Sequence, residues 1–246
     1  MRYCKRLFLA VTVIPVVACS SRDVGQSDES RAVLVSATTD AAAPAGAGSL
    51  GAPDTVGRVR FADPASAAAM ASGLLAESAG KHARRSGFSS RAEASLATPV
   101  SPLQMFMVRL DVLSGFDSQD DPRSLLTDLH QMMYPFTVQG TVRSCVIVSQ
   151  LSSGEWQTTE MGHPNLASAV ETLREQISAD GGVAENDVFL VRILALGAEF
   201  LAYEYNGVLQ LAAVFDYAPG GIVASQTRSA SEVFGALQPV AARMMQ

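Results

Sequence analysis

Glu199-Phe200-Leu201-Ala202-Tyr203-Glu204-Tyr205-Asn206-Gly207-Val208-Leu209-Gln210-Leu211-Ala212-Ala213-Val214-Phe215-Asp216-Tyr217 decides how the second half of this chain is read. Asn206-Gly207 separates two apolar runs. Both central positions of the tight hairpin turn need positive φ, which Asn and Gly accept. The turn predicts a hairpin of Glu199–Tyr205 with Val208–Tyr217 and sets its register. Tyr205 faces Val208, Tyr203 faces Gln210 and Leu201 faces Ala212. The opposite face holds Phe200, Ala202, Leu209, Leu211, Ala213 and Phe215. Both faces are largely apolar, so the sheet should be covered on both sides.

Upstream, Val188 to Leu196 reads as a third strand, interrupted in mid-run by Arg192. A buried arginine there needs a partner such as Glu204; on an edge strand it would be a gatekeeper or a subunit contact. Asn165 caps a helix to about Ala179, with Leu166, Val170, Leu173 and Ile177 as one apolar stripe. Thr141 to Leu151 and Glu155 to Met161 form another hairpin, turning at Ser152-Ser153-Gly154. Before it, Ser101-Pro102 and Asp121-Pro122 each pair a capping residue with a first-turn proline. They predict helices over Ser101–Ser114 and from Asp121 to Pro135. Leu125, Leu126, Leu129 and Met132 supply the second with helical spacing. Downstream, Ser229 and Glu232 form a capping box for a last helix to Met244. Pro239 should kink or shorten it.

The expected fold class is therefore α+β, in the order α-β-β-α-β-β-β-α. Over Pro122 to Met244 this order resembles the Roadblock/LC7 family, whose five-stranded antiparallel sheet lies between helices. The likeness is strongest where Val208 to Asp216 precedes a Gly-containing loop and the final helix. The resemblance implies a non-enzymatic homodimer that contacts its copy through the middle helix and third strand. The matching positions are Leu166, Val170 and Leu173, with Val188, Leu190 and Arg192. It also implies small Ras-like GTPases or scaffold complexes as partners.

The N-terminus points elsewhere in the cell. Arg2, Lys5 and Arg6 precede an apolar run from Leu7 to Ala18. That is the layout of a secretory signal, and the run is shorter than the roughly 20 residues of a membrane-spanning helix. It ends Val16-Val17-Ala18-Cys19, which resembles the lipobox of bacterial lipoproteins. The resemblance implies cleavage before Cys19, acylation of that cysteine and membrane anchoring by several chains. Ser20 follows rather than Asp, which leaves outer-membrane sorting open. Residues 19–100 are dominated by Ala, Ser, Gly, Pro and Thr. They read as a disordered tether with one helical piece from Ala65 to Ala79. The basic group Lys81, His82, Arg84, Arg85 and Arg91 follows it, to be solvated or to meet anionic lipid. The expected parts are a signal peptide (1–18), a tether (19–100) and a folded domain (101–246).

Formal net charge is −6, and loss of the leader makes the chain more acidic, which argues against nucleic acid as a partner. Of Cys4, Cys19 and Cys145, only the last lies in the expected folded domain, in the apolar run Val142 to Val148. It reads as a buried, inert thiol. No nucleophile elbow, phosphate loop or zinc-helix motif occurs. His82, His130 and His163 are scattered, and Asp117, Asp120 and Asp121 lack the glycine and terminal Glu of a calcium loop. Glu155 and Glu160 share one hairpin; Trp156, Tyr203 and Tyr205 are candidate contact residues. No catalytic residue, metal or cofactor is expected. The expected function is a lipid-anchored, dimeric protein-binding or scaffold module of the cell envelope. Two alternatives stand beside it: a cytosolic Roadblock-type GTPase regulator, and an envelope ligand-binding protein or enzyme.

Overall fold

A computed structural model describes residues 59–246; the expected signal, Cys4, the lipobox and Cys19 lie outside the described residues. The sheet is mixed and nine-stranded, not the five-stranded antiparallel sheet expected from the Roadblock/LC7 likeness. In space its strands run β5-β4-β3-β2-β6-β7-β8-β9, with β1 beside β3. They are β1 (Thr98–Pro99), β2 (Leu103–Val108), β3 (Leu126–Val138), β4 (Thr141–Gln150), β5 (Trp156–Gly162), β6 (Phe189–Ile193), β7 (Ala198–Tyr205), β8 (Val208–Ala213) and β9 (Thr227–Ser229). The helices are α1 (Pro64–Ser86), α2 (Arg91–Ala94), α3 (Leu110–Ser114), α4 (Pro164–Gly181) and α5 (Ala230–Met244).

Two segments expected as helices supply two of the four additional strands; β1 and β9 come from stretches expected as tether and loop. Leu103–Val108 is a strand followed by the short α3, and Leu126–Val138 is the longest strand of all. A bulge explains the false helical period. Met105 lies opposite Gln131 while the next residue, Phe106, lies opposite Asp128, so Leu129 and His130 are extra. His130 adopts φ 51°, and the Asp128 carboxylate accepts its backbone N–H at 2.7 Å. The insertion breaks the period-2 alternation that identifies a strand. Pro135 survives inside β3 because its missing donor faces the gap between β1 and β2. Its carbonyl still accepts from Val100 N at 2.9 Å. β2 then joins the two antiparallel halves of the sheet by pairing parallel with β6, Met105 opposite Leu190. β6 is consequently central, between β2 and β7, rather than an edge.

The Asn206-Gly207 hairpin has the expected register: Tyr205 opposite Val208, Tyr203 opposite Gln210, Leu201 opposite Ala212. β8 ends at Ala213, short of the expected Tyr217. Both faces are covered. On one, α5 and α3 pack on Val191, Phe200, Leu209 and Leu211. Farther along that face α1 packs on Tyr134, Phe136, Val146 and Val148. On the other, α4 lies against Met105, Met133, Cys145, Ile147, Leu190 and Leu201, from strands on both halves of the sheet. One helix touches both β4 and β7, so the sheet coils about α4. The right-handed twist of strands accumulates to this curvature over many strands. The capping box of α5 is present, and the helix continues through Pro239 to Met244.

The folded part begins well before Ser101. α1 extends the expected helix of Ala65–Ala79 at both ends, with Asp63 as its N-cap and Gly87 as its C-cap, and kinks at His82, whose φ −141° and ψ 56° are not helical. Its inner stripe is Ala67, Ala68, Ala71, Leu75, Ala76 and Ala79, all buried. Alanines carry little apolar area themselves, which is why the segment reads as tether. They let the backbone approach the sheet closely, and the bulk comes from Phe136, Tyr134 and the half-buried Trp156. Phe61 extends this layer, exchanging two backbone hydrogen bonds with Trp156 at 2.7 and 2.9 Å. Lys81, His82, Arg85 and Arg91 are exposed.

Candidate functional site

Two features flank α4 on the concave face. At its N-terminal end four charged side chains converge. Glu160 on β5 and His163, which precedes the helix, lie 3.6 Å apart and form an ion pair when the imidazole is protonated. Arg192 on β6 and Glu199 on β7 are another at 3.2 Å. Glu199, not the expected Glu204, is thus the partner of Arg192; Glu204 instead accepts from Arg123 Nε at 2.8 Å. The reason is register: Glu199 lies directly opposite Arg192 on the antiparallel neighbour.

The pairs feel each other across the coiled sheet. The neighbouring His163 holds the Glu160 carboxyl below its usual range, and Arg192 lowers it further. Glu160 raises His163. Burial raises Glu199 despite Arg192 beside it. Cys145 lies beneath them, fully buried, and burial pushes its thiol up to about 12. It is therefore protonated and unreactive, as expected of a core thiol. The charges are matched pairwise, and the Glu160–His163 contact ties the start of α4 to β5. Glu155, on the same hairpin as Glu160, pairs instead with Arg60 at 3.2 Å.

At the other end of α4 is an open groove of about 400 Å³. Leu173, Gln176, Ile177 and Asp180 of the helix form one wall. Tyr203 and Tyr205 of β7 and Gln210 of β8 form its floor, with Ser225 and Thr227 at the rim. The floor follows from strand geometry. Residues two apart on a strand share a face, so the tyrosines stand side by side, and the hairpin turn sets Gln210 opposite Tyr203. The rim is held in place: Ser225 N donates to Ala213 O at 2.8 Å and Ala224 N to the Asp216 carboxylate at 2.7 Å. The last turn of α4 contains no basic residue, so the negative end of its dipole is unopposed there. Asp180 is the one charged side chain among the described groove-lining residues.

The expected interface residues are placed differently. Leu166, Val170, Leu173, Val188 and Leu190 are all buried in the layer between α4 and the sheet. Arg192 belongs to the charged cluster. The stripe that reads as a dimer contact is the helix's packing face against its own sheet, and the third strand is interior. Tyr203 and Tyr205 both line the groove, Tyr203 buried and Tyr205 exposed. Gln176, Asp180, Ser225 and Thr227 escape sequence reasoning; only Gln210, a polar break in Leu-Gln-Leu opposite a tyrosine, carries a local signal. Among the described residues no three His, Cys, Asp or Glu side chains are arranged to hold a metal ion. Among them, too, no helix is long and apolar enough to cross a membrane. Compared with protein-family models, curated proteins and solved structures, the chain matches none.

Proposed function

We propose that this chain is a lipid-anchored, non-enzymatic binding module of the bacterial cell envelope. Acylated Cys19 would hold it to the membrane, and its ligand would lie in the groove between α4 and the β7–β8 hairpin. The observation that carries the reading is the groove itself. It exposes aromatic and hydrogen-bonding groups together, on regular elements and a pinned loop, so little ordering entropy is lost on binding. The basic leader and Val16-Val17-Ala18-Cys19 support the anchoring half of the reading. The acidic balance of the chain agrees with a partner other than nucleic acid.

Mass spectrometry of the native N-terminus tests the anchor. The expected product begins at Cys19 and carries the mass of its acyl chains. Cys19→Ala should keep its leader or lose membrane association. An unchanged mass and unchanged membrane fractionation in that variant would remove the anchor from the reading.

A further inference from the structure

Resting on the reading of the groove as a binding site, we propose that its ligand is an alkylammonium group, as carried by a polyamine or a lysine side chain. Three features favour a positive charge there. Asp180 supplies a full negative charge at the helix wall. The C-terminal end of α4 adds the negative pole of its dipole, with no basic residue in the last turn to neutralise it. Tyr203 and Tyr205 line the floor with aromatic rings, whose faces attract cations. The remaining polar groups, Gln176, Gln210, Ser225 and Thr227, carry acceptor oxygens that an ammonium group can use, though their donors would serve a neutral ligand equally.

An anion would meet Asp180 and the helix end, and the described lining residues include no lysine, arginine or histidine to receive it. The donors of an ammonium group match the acceptors, and its alkyl stem can lie along Leu173 and Ile177. Tyr205 is 48% exposed and Tyr203 only 7%. The outer ring is thus the one free to close over a ligand, while the inner one is fixed.

Isothermal titration of the full chain in detergent micelles tests the proposal. Spermidine represents the free polyamine, Nα-acetyl-lysine methylamide the peptide side chain, and maltotriose a neutral hydroxylated ligand. Binding of at least one cation is expected, weakened tenfold or more by Asp180→Asn and several-fold by Tyr205→Ala. Tyr203→Phe keeps the ring and loses only the hydroxyl, so it should leave the affinity within about twofold. Unchanged thermal unfolding midpoints establish that the variants remain folded. Tighter binding of spermidine than of the lysine amide assigns the free polyamine; the reverse assigns a polypeptide. Failure of both cations at millimolar concentration overturns the proposal, as does cation binding that Asp180→Asn leaves intact. Maltotriose binding that Tyr205→Ala abolishes, without cation binding, overturns the cation and keeps the groove as a site. The anchored reading fails separately, on the fate of Cys19.

Discussion

Arg174, 1% exposed, donates through Nη2 to Glu171 Oε1 at 2.7 Å, one turn back on α4, and through Nη1 to Ser101 O at 2.9 Å. The guanidinium joins the helix to the segment between β1 and β2. Its Nε, Glu171 Oε2 and Ser178 Oγ are buried without hydrogen-bond partners among the described residues. Removing one partner of such a pair strands the other charge. Glu171→Ala should therefore destabilise the domain by about 3–5 kcal/mol. Glu171→Leu with Arg174→Met removes both charges and should cost less than the single change, despite the lost bond to Ser101. Urea unfolding midpoints compare them, and a double variant less stable than Glu171→Ala would refute the reasoning.

Gly87 ends α1 at φ 82°, and a Cβ there would run into the Arg143 carbonyl oxygen and close on Pro164. Both the backbone conformation and the space exclude a side chain. Gly87→Ala should cost more than about 2 kcal/mol, the left-handed penalty plus the displacement of β4. Gly140→Ala, also at positive φ but with open space around it, should cost only the conformational part. Equal losses at the two sites would argue against the close approach.

The charged cluster predicts a pH profile. Glu160 lies below its usual 4.5, so its contribution is present above pH 4.5 and lost as pH falls through its depressed value. His163 lies above its usual 6.5, so its contribution is complete below pH 6.5 and lost as pH rises through its raised value. Glu199 acts oppositely: raised by burial, it weakens the fold as it ionises above pH 4.5. The Glu160–His163 pair thus stabilises most between about pH 4.5 and 6.5. Both side chains are nearly half exposed, 43% and 48%, which limits the effect to below about 1 kcal/mol. The difference in stability between the parent and His163→Gln should shrink from pH 6 to pH 9. A constant difference would show that the pair does not titrate as described.

Cys145 should be silent to alkylation. With Cys4 and Cys19 replaced by serine, iodoacetamide at pH 8 should label the chain only once denaturant unfolds it, because the buried thiol stays protonated. Rapid labelling in native buffer would contradict the placement of β4 in the core.

At the start of α5, Ser229 Oγ accepts from Glu232 N at 3.3 Å, and Glu232 Oε2 accepts from Ser229 N at 3.1 Å. Ser229→Ala should lower stability by about 1 kcal/mol, with Ser229→Asp restoring much of it. Thermal unfolding compares them, and an unaffected alanine variant would mean that the box contributes nothing.

Local chemistry made the second half of the chain legible. Asn206-Gly207 determines its own turn, hence the whole register of β7 on β8, and Ser229 with Glu232 determines where α5 begins. The first half misleads for equally local reasons. Two extra residues in the bulge, Leu129 and His130, give a strand the spacing of a helix. The alanines of α1 look too small to hold a core because their large partners lie some seventy residues away on β3 and β4. The stripe Leu166, Val170 and Leu173 is amphipathic whichever sheet it meets. It cannot say whether that sheet belongs to the same chain or to a copy.

The groove shows the same division. Tyr203 and Tyr205 share a face because strands alternate, and Gln210 stands opposite because the turn dictates it; residues 203–210 suffice for both. Asp180, the C-terminal end of α4, Ser225 and Thr227 join them only when the sheet coils about the helix and the loop after β8 folds back. Backbone geometry over a few residues belongs to the sequence alone. The side of the sheet on which a helix lands, and so the charge that a groove acquires, depends on contacts between residues far apart in the chain, which only the tertiary structure decides.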